Sequence, residues 1–135
     1  IPVRIEIGKR DLENNLITIA RRDTSEKYQE NINVDIVEYI NNLLETIQKD
    51  MYNRALERRN KLTFTAKTLE DVENIMNTQP GFVKADWCGR EECELKMKEI
   101  KGTKSRCIVD EEMITGKCVV CGEEAKHTVI WGQQY

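Results

Sequence analysis

The sequence predicts an α/β (α+β) protein made of two small units, and three observations support this prediction. Residues 3 to about 30 alternate apolar and polar positions, as half-buried strands do. From about residue 34 to 60, apolar positions recur every three or four residues, which is typical of one long amphipathic helix. All five cysteines follow in a stretch of short elements, so we place a domain boundary near residue 62.

Composition limits the class of protein. The chain has 135 residues, of which 33 % are charged, and a net charge of −3. That charge argues against binding nucleic acid through global attraction, although a local basic face remains open. No apolar run is long enough to span a bilayer, and no signal-peptide pattern is present. We therefore expect a cytoplasmic protein with no membrane partner.

The first unit is predicted to be a hairpin followed by the long helix. A strand begins at Val3 and ends at Gly8, the segment "RDLENN" has turn chemistry, and "LITIARRD" alternates again. Asn33 or Asp35 is expected to cap the helix. Its basic end, "RALERRNK", is interpreted as a solvated helix end in preference to a nucleic-acid patch. Because a strand needs neighbours, the abrupt start indicates a domain whose earlier part precedes this chain.

The second unit is predicted from shorter signals. Thr68 and Asp71 have the spacing of a capping box at the start of a short helix. Pro80 and Gly81 then turn the chain. "FVKADW" is predicted to be a strand, "REECELKMKEI" a helix and "SRCIVD" another strand. The last stretch, from "KCVVC" to the end, is predicted to be a hairpin.

Four of the cysteines form two closely spaced pairs. Cys88 and Cys93 enclose four residues, and Cys118 and Cys121 enclose two. Zinc prefers four ligands in a tetrahedron, and a closed four-sulfur site has no open position for catalysis. The spacing favours a structural zinc bound by these four thiolates, with Arg90 close enough in sequence to offset their charge.

Two other roles for these cysteines are less favoured. An odd number of cysteines without a sign of secretion argues against a disulfide framework. A redox pair usually opens a helix after a strand, whereas Cys118 and Cys121 lie between glycines. Cys107 occupies an apolar strand position and is expected to be a buried small hydrophobe, not a ligand. His127 is expected at the surface.

No catalytic constellation emerges from the residues. A nucleophile, base and orienting group at a recognisable spacing are missing from the sequence, as is a glycine-rich phosphate loop. The acidic residues are scattered through helices. The residues alone therefore indicate a binding or structural module without an active site of its own.

The order of several motifs resembles the carboxyl-terminal part of prolyl-tRNA synthetases and is similar to the archaeal and eukaryotic type. The motifs are "IPVRIEIGKRDLENN", "ITIARRDTSEK", "MYNRALERRN", "PGFVKADWCGREECELKMKE", "RCIV" and "GKCVVCGEEAK", followed by a final tyrosine. The resemblance implies that residues 1–62 form the second half of a class II anticodon-binding domain, an α/β fold with a mixed sheet. Residues 63–135 would be a small zinc-binding α+β domain. The catalytic domain, with ATP and Mg²⁺, would lie upstream.

The resemblance also implies which residues read tRNA. The family recognises two guanines of the proline anticodon, and Arg4, Asp11 and Lys27 match positions that contact those bases. Arginine can donate twice to guanine O6 and N7, and aspartate can accept from the amino group. Without the resemblance, Arg4 and Asp11 could simply pair across the strand end. Tyr135 matches a terminal tyrosine whose carboxylate points towards the catalytic domain.

Two functions follow as hypotheses. The first is the tRNA-binding and structural portion of a proline–tRNA ligase, with proline tRNA as its partner and the same four cysteines as zinc ligands. The intact enzyme is then expected to be a homodimer through its catalytic domains, and this segment a monomer. The alternative is a free-standing, non-catalytic zinc-binding module that interacts with RNA or protein.

Overall fold

Seven strands and four helices follow one another in a computed structural model, which describes residues 1–109 and 113–134. The chain divides into two compact units, Ile1–Leu56 and Glu57–Tyr135. In chain order the elements are β1 (Val3–Glu6), α1 (Lys9–Glu13), β2 (Leu16–Arg21), β3 (Lys27–Asn31), α2 (Ile36–Lys61), β4 (Thr63–Thr65), α3 (Leu69–Thr78), β5 (Phe82–Trp87), α4 (Glu91–Glu99), β6 (Thr103–Val109) and β7 (His127–Gln133).

The first unit is an antiparallel sheet packed against the long helix. Its strands lie in the order β1-β2-β3. Side chains alternate between the two faces of a strand, so one face of the sheet is apolar and the other polar. The apolar face packs against α2 through four buried side chains: Ile17, Ile19, Leu43 and Ile47. The polar face carries the first group of candidate site residues.

Two predictions about the first unit are wrong in detail. The segment predicted to be a turn contains the short helix α1, and the predicted hairpin is a three-stranded sheet because β3 adds to β2. Ile5 pairs with the buried Ile19 but is 41 % exposed, since β1 forms an edge of the described sheet. The alternating pattern predicted this strand correctly. The exposed fraction of its side chains, however, depends on the position of the strand in the sheet.

The long helix is confirmed, and its cap is one of the two predicted. Asp35 Oδ1 accepts hydrogen bonds of 3.1 Å from the backbone N–H groups of Val37 and Glu38. Both N–H groups belong to the first helical turn, where the helix itself offers them no backbone acceptor. At the other end, Lys61 forms an ion pair with Glu57 across one turn of the helix.

The second unit has a mixed sheet covered on one face by two short helices. Its strands lie in the order β4-β5-β7-β6; β4 and β5 are parallel, and the other pairs are antiparallel. The buried core consists of Ala66, Val72, Met76, Val83, Ala85, Met97, Ile100, Val129 and Trp131. The α/β fold class is therefore confirmed, but the mixed sheet lies in the second unit, whereas the described strands of the first unit are all antiparallel. The predicted capping box is present as well, since Thr68 and Asp71 exchange hydrogen bonds of 3.0 and 3.1 Å.

The predicted C-terminal hairpin is wrong. The strand β7 inserts between β5 and β6, and the preceding segment closes on itself through a bridge between Lys117 and Glu124. Cys107 is exposed and not buried, because β6 is an edge strand with an irregularity between Ser105 and Cys107. Among the described residues, no helix has both the length and the apolar character needed to cross a membrane.

Candidate functional site

Four cysteines converge at one point of the second unit. The Sγ atoms of Cys88, Cys93, Cys118 and Cys121 all lie within 4.8 Å of one another. The distance from Cys88 Sγ is 3.6 Å to Cys93 Sγ and 3.8 Å to Cys121 Sγ. Zinc–thiolate bonds of about 2.3 Å in a tetrahedron place the sulfurs about 3.8 Å apart. These four residues can therefore hold a metal ion, and their geometry is compatible with structural zinc.

Different elements position the two cysteine pairs. Cys88 directly follows β5, and Cys93 lies in the first turns of α4. The second pair lies in a tight turn, in which the backbone N–H of Gly122 donates to the carbonyl of Cys118 at 2.9 Å. Gly122 has a φ of +74°, a conformation that glycine adopts without the strain of a side chain. The turn that follows Cys121 therefore depends on its glycine.

Arg90 supplies positive charge beside the sulfurs, as expected. Its Nη2 lies 3.0 Å from Cys121 Sγ and its Nε 3.5 Å from Cys88 Sγ. Burial alone would raise the pKa of the Cys88 thiol, but hydrogen bonds from Arg90 and from neighbouring thiols lower that pKa to about 6. Burial raises the pKa of Cys93. A bound divalent cation would favour the thiolate form of all four cysteines.

A buried carboxylate anchors the segment that leads to Cys118. Asp86 is fully buried and accepts backbone hydrogen bonds from Thr115 at 2.7 Å, Gly116 at 3.0 Å and Ile114 at 3.2 Å. Thr128 Oγ1 donates to the same carboxylate at 2.7 Å. Burial would raise the pKa of Asp86, but these hydrogen bonds keep it below the usual range. Sequence reasoning missed this residue, although an acidic residue inside the apolar strand "FVKADW" was a usable signal.

The second candidate site is the polar face of the first unit's sheet. Arg4, Ala20 and Lys27 form one cross-strand row, and Glu6, Thr18 and Gln29 form the next. Directly opposite residues share a face of a sheet, so these two rows lie opposite the apolar face. Arg4 and Lys27 are 65 % and 53 % exposed. The structure thus brings two of the three candidate tRNA-binding residues to one exposed face.

Hydrogen bonds connect the three candidates to polar neighbours. Glu6 accepts from Arg4 Nη2 at 2.6 Å and from Lys27 Nζ at 3.0 Å. Hydrogen bonds from Lys27 and Arg4 lower the pKa of Glu6, so its carboxylate is charged at neutral pH. Asp11 accepts from the backbone N–H of Gly8 at 2.8 Å and from Gln29 Nε2 at 3.3 Å. Arg4 therefore pairs with Glu6, and Asp11 with Gly8 and Gln29, instead of the two residues pairing with each other.

A cavity opens beside the exposed cations. Its volume is about 420 Å³, and its lining includes Arg4, Ala20, Arg22, Ser25 and Lys27. The cavity offers guanidinium, ammonium and hydroxyl donors to a ligand, which suits the electron-rich edges of a nucleobase or a phosphate.

The remaining candidate residues lie elsewhere. Cys107 does not belong to the cysteine cluster and lies on the exposed edge strand β6. His127 is partly buried, and its ring centroid lies 6.1 Å from that of Trp87. Tyr135, predicted to direct its carboxylate towards a catalytic domain, lies outside the described residues.

Two family models match the chain. Residues 1–46 match the family described as "Anticodon binding domain", and residues 69–135 match the one described as "Prolyl-tRNA synthetase, C-terminal". The first match includes the polar sheet face, and the second includes all four clustered cysteines. The two candidate sites therefore lie in different domains.

Curated relatives match along the whole chain. The chain is 47 % identical over 137 residues to the proline–tRNA ligase of Clostridium novyi and 42 % identical over 136 residues to that of Ruminiclostridium cellulolyticum. It is 41 % identical over 137 residues to proline–tRNA ligase 2 of Bacillus thuringiensis. Each match covers 100 % of this chain but only 28 % of the relative. These three organisms are bacteria, so the archaeal or eukaryotic type stays a prediction.

Proposed function

Since residues 1–46 belong to the anticodon-binding domain family and residues 69–135 to the prolyl-tRNA synthetase C-terminal family, we propose that this chain is the tRNA-recognising end of a proline–tRNA ligase. The intact protein would attach proline to its tRNA, using ATP and Mg²⁺ in a catalytic domain outside this chain. The observation that supports this proposal most directly is the exposed polar sheet face within the matched anticodon-binding region.

The proposal assigns base recognition to Arg4, Asp11 and Lys27. Arg4 and Lys27 present donors at the cavity, which suits the O6 and N7 acceptors of guanine. Asp11 supplies a carboxylate that can accept from a guanine amino group. Bases of a single-stranded anticodon loop are splayed out and can present these edges to a sheet face.

The proposal assigns a structural zinc to the four clustered cysteines. Support comes from sulfur–sulfur distances of 3.6 and 3.8 Å, which fit a tetrahedral zinc–thiolate centre. Four protein ligands would leave no position for a reacting water. Zinc would therefore stabilise the second unit without taking part in aminoacylation. The division into residues 1–62 and 63–135 belongs to this proposal.

The wider setting follows from the same assignment. Aminoacyl-tRNA synthesis serves translation, so we place the protein in the cytoplasm, with proline tRNA as its partner and without a membrane partner. The intact enzyme would be a homodimer through its catalytic domains, and this segment alone a monomer. Tyr135 would direct its carboxylate towards the catalytic domain.

Aminoacylation by the intact protein tests the assignment. We expect charging of proline tRNA, and a loss of preference for the two anticodon guanines in Arg4→Ala, by about 1–3 kcal/mol of discrimination. Arg10→Ala, an exposed arginine of the neighbouring helix α1, is the matched control and should behave as the parent. An active parent that ignores changes of those guanines would contradict base recognition by this face. A protein without any charging activity would favour the free-standing module.

A further inference from the structure

Glu6 occupies the position between the two cations of the polar sheet face. Its carboxylate lies 2.6 Å from Arg4 Nη2 and 3.0 Å from Lys27 Nζ. Arg4 and Lys27 lie on the two outer strands of the sheet, in register with Ala20 on the central strand. Because Ala20 has only a methyl group, the Glu6 side chain can reach Lys27 across the central strand.

This arrangement changes what the two cations can bind. Two adjacent cations without a carboxylate attract any phosphate, whatever the sequence of the RNA. With Glu6 between them, the three side chains together carry a net charge of +1. The Glu6 carboxylate also repels a phosphate placed between Arg4 and Lys27. Arg4 bonds Glu6 through Nε and Nη2, so the Nη1 donors are left for a ligand. Fixed donors of this kind suit the edge of a base more than the diffuse charge of a backbone.

Arg22 provides the contrast within the same cavity. It follows β2 two positions after Ala20, so it extends from the same side of the chain, and it lines the cavity beside Arg4 and Lys27. Its backbone N–H donates to the carbonyl of Pro2 at 3.0 Å, which fixes the position of its backbone. Within the described residues, its exposed side chain forms no ion pair with a carboxylate.

We propose that Glu6 is a specificity-determining residue: it restrains Arg4 and Lys27 to read base edges, while Arg22 contacts the RNA backbone. This inference rests on the proposed recognition of tRNA by the same face. It assigns base recognition to Arg4 and Lys27 and gives separate roles to Glu6 and Arg22, which have no role in the proposed function above. It also predicts that removing a negative charge from this face weakens selectivity while it strengthens general RNA binding.

Binding of two RNA hairpins by the intact protein tests the proposal. One hairpin carries the proline anticodon loop, and the other has its two guanines replaced by adenines. Both are titrated at several salt concentrations. We expect Glu6→Gln to reduce the preference for the first hairpin by about tenfold and to make the salt dependence steeper by about one phosphate contact. Arg22→Ala should weaken both hairpins equally and make the salt dependence shallower by about one contact.

Two further variants separate charge from folding. Glu13→Gln removes a carboxylate from the exposed end of α1 and should match the parent. Glu6→Asp keeps the charge on a shorter side chain, so its salt dependence should stay that of the parent while its preference falls. An unchanged preference in Glu6→Gln overturns the proposal, as does a base-dependent effect of Arg22→Ala. A parent that binds both hairpins equally contradicts the proposed function itself and not only the role of Glu6.

Discussion

The buried carboxylate of Asp86 accepts a hydrogen bond of 2.7 Å from the backbone N–H of Thr115, 29 residues further along the chain. Asp86 lies at the end of β5, two residues before Cys88, and Thr115 lies three residues before Cys118. The backbone carbonyl of Asp86 also accepts from the N–H of Val119 at 3.1 Å. Through these hydrogen bonds, one residue links the strand that precedes Cys88 to the segment that contains Cys118.

Removing this carboxylate should destabilise the second unit. Asp86→Ala removes the acceptor of three partly buried backbone donors and of the buried Thr128 hydroxyl, and a buried group left unsatisfied costs about 1–3 kcal/mol. We expect a loss of about 3 kcal/mol or more in the free energy of unfolding. Asp86→Asn retains one oxygen acceptor and should lose less. Both tryptophans, Trp87 and Trp131, belong to this unit, so urea unfolding followed by their fluorescence measures it directly. Equal stability of the parent and both variants would refute this anchoring role.

Removing one of the proposed zinc ligands should destabilise the second unit. In Cys118→Ser, we expect loss of bound zinc and greater proteolysis of residues 63–135 than of residues 1–62, because metal binding and folding are coupled in small domains. Zinc content by mass spectrometry and the sites of early cleavage report the two effects. Cys107→Ser is the matched control, since Cys107 is exposed and lies outside the cluster. Zinc retained at one ion per chain in Cys118→Ser would show that this cysteine is not a ligand.

Gly81 should tolerate no side chain. Its φ is +136°, and an added Cβ would collide with the backbone carbonyl of Leu62. That carbonyl accepts from the N–H of Phe82 at 2.8 Å at the start of β5, so it cannot easily move away. We expect Gly81→Ala to lower the free energy of unfolding by at least about 2 kcal/mol. Gly102→Ala is the control for backbone strain alone, because its φ is +68° but its nearest neighbouring atom lies 3.9 Å away. Equal losses in both variants would exclude the collision as the cause.

Asp23 should make the stability of the first unit depend on pH. Hydrogen bonds from Arg21 and Arg54 hold the pKa of Asp23 below its usual value despite its burial. A carboxylate with a depressed pKa in the folded state stabilises that state above the unfolded pKa of about 3.9, and the stabilisation is lost as pH falls through the folded pKa. Asp23→Asn should therefore be less stable than the parent at neutral pH, with a difference that shrinks in acid.

The measurement is hydrogen exchange of the β2 and β3 amides between neutral and acidic pH. These amides lie in the first unit, so their exchange reports the stability of that unit separately from the second. Glu45→Gln serves as the control, because Glu45 is an exposed carboxylate on α2. It should show no such dependence. A stability difference between Asp23→Asn and the parent that persists below the folded pKa would rule out the charge of Asp23 as its source.

Local patterns in the sequence were sufficient for several elements. The three-to-four spacing of apolar residues predicted α2, and the Thr68–Asp71 spacing predicted the capping box of α3. The four clustered cysteines were identified from their spacing alone, because a short loop between two thiols restricts both to one neighbourhood. In the helix, in the capping box and within each cysteine pair, the interacting groups lie within a few residues of one another, so the chain itself brings them together. The two cysteine pairs are separated by 24 residues, and the tertiary structure brings them together.

Other features depended on partners distant in sequence. Cys107 has the neighbours of a core strand residue, but the edge position of β6 leaves it exposed. Glu6 was missed because its role depends on Lys27, which lies 21 residues away and reaches it only through the register of three strands. Asp86 was missed for the same reason, since its partners begin 28 residues further on.

The sequence by itself therefore determined the fold class, the long helix α2, the capping box of α3 and the four cysteines of the cluster, because each depends on periodicity or on short loops. Only the tertiary structure decided which strand lies at an edge, which carboxylate connects Arg4 to Lys27 and which buried group anchors the second cysteine pair. Those outcomes depend on contacts between residues that are distant in sequence, and such contacts arise from packing across the whole sheet.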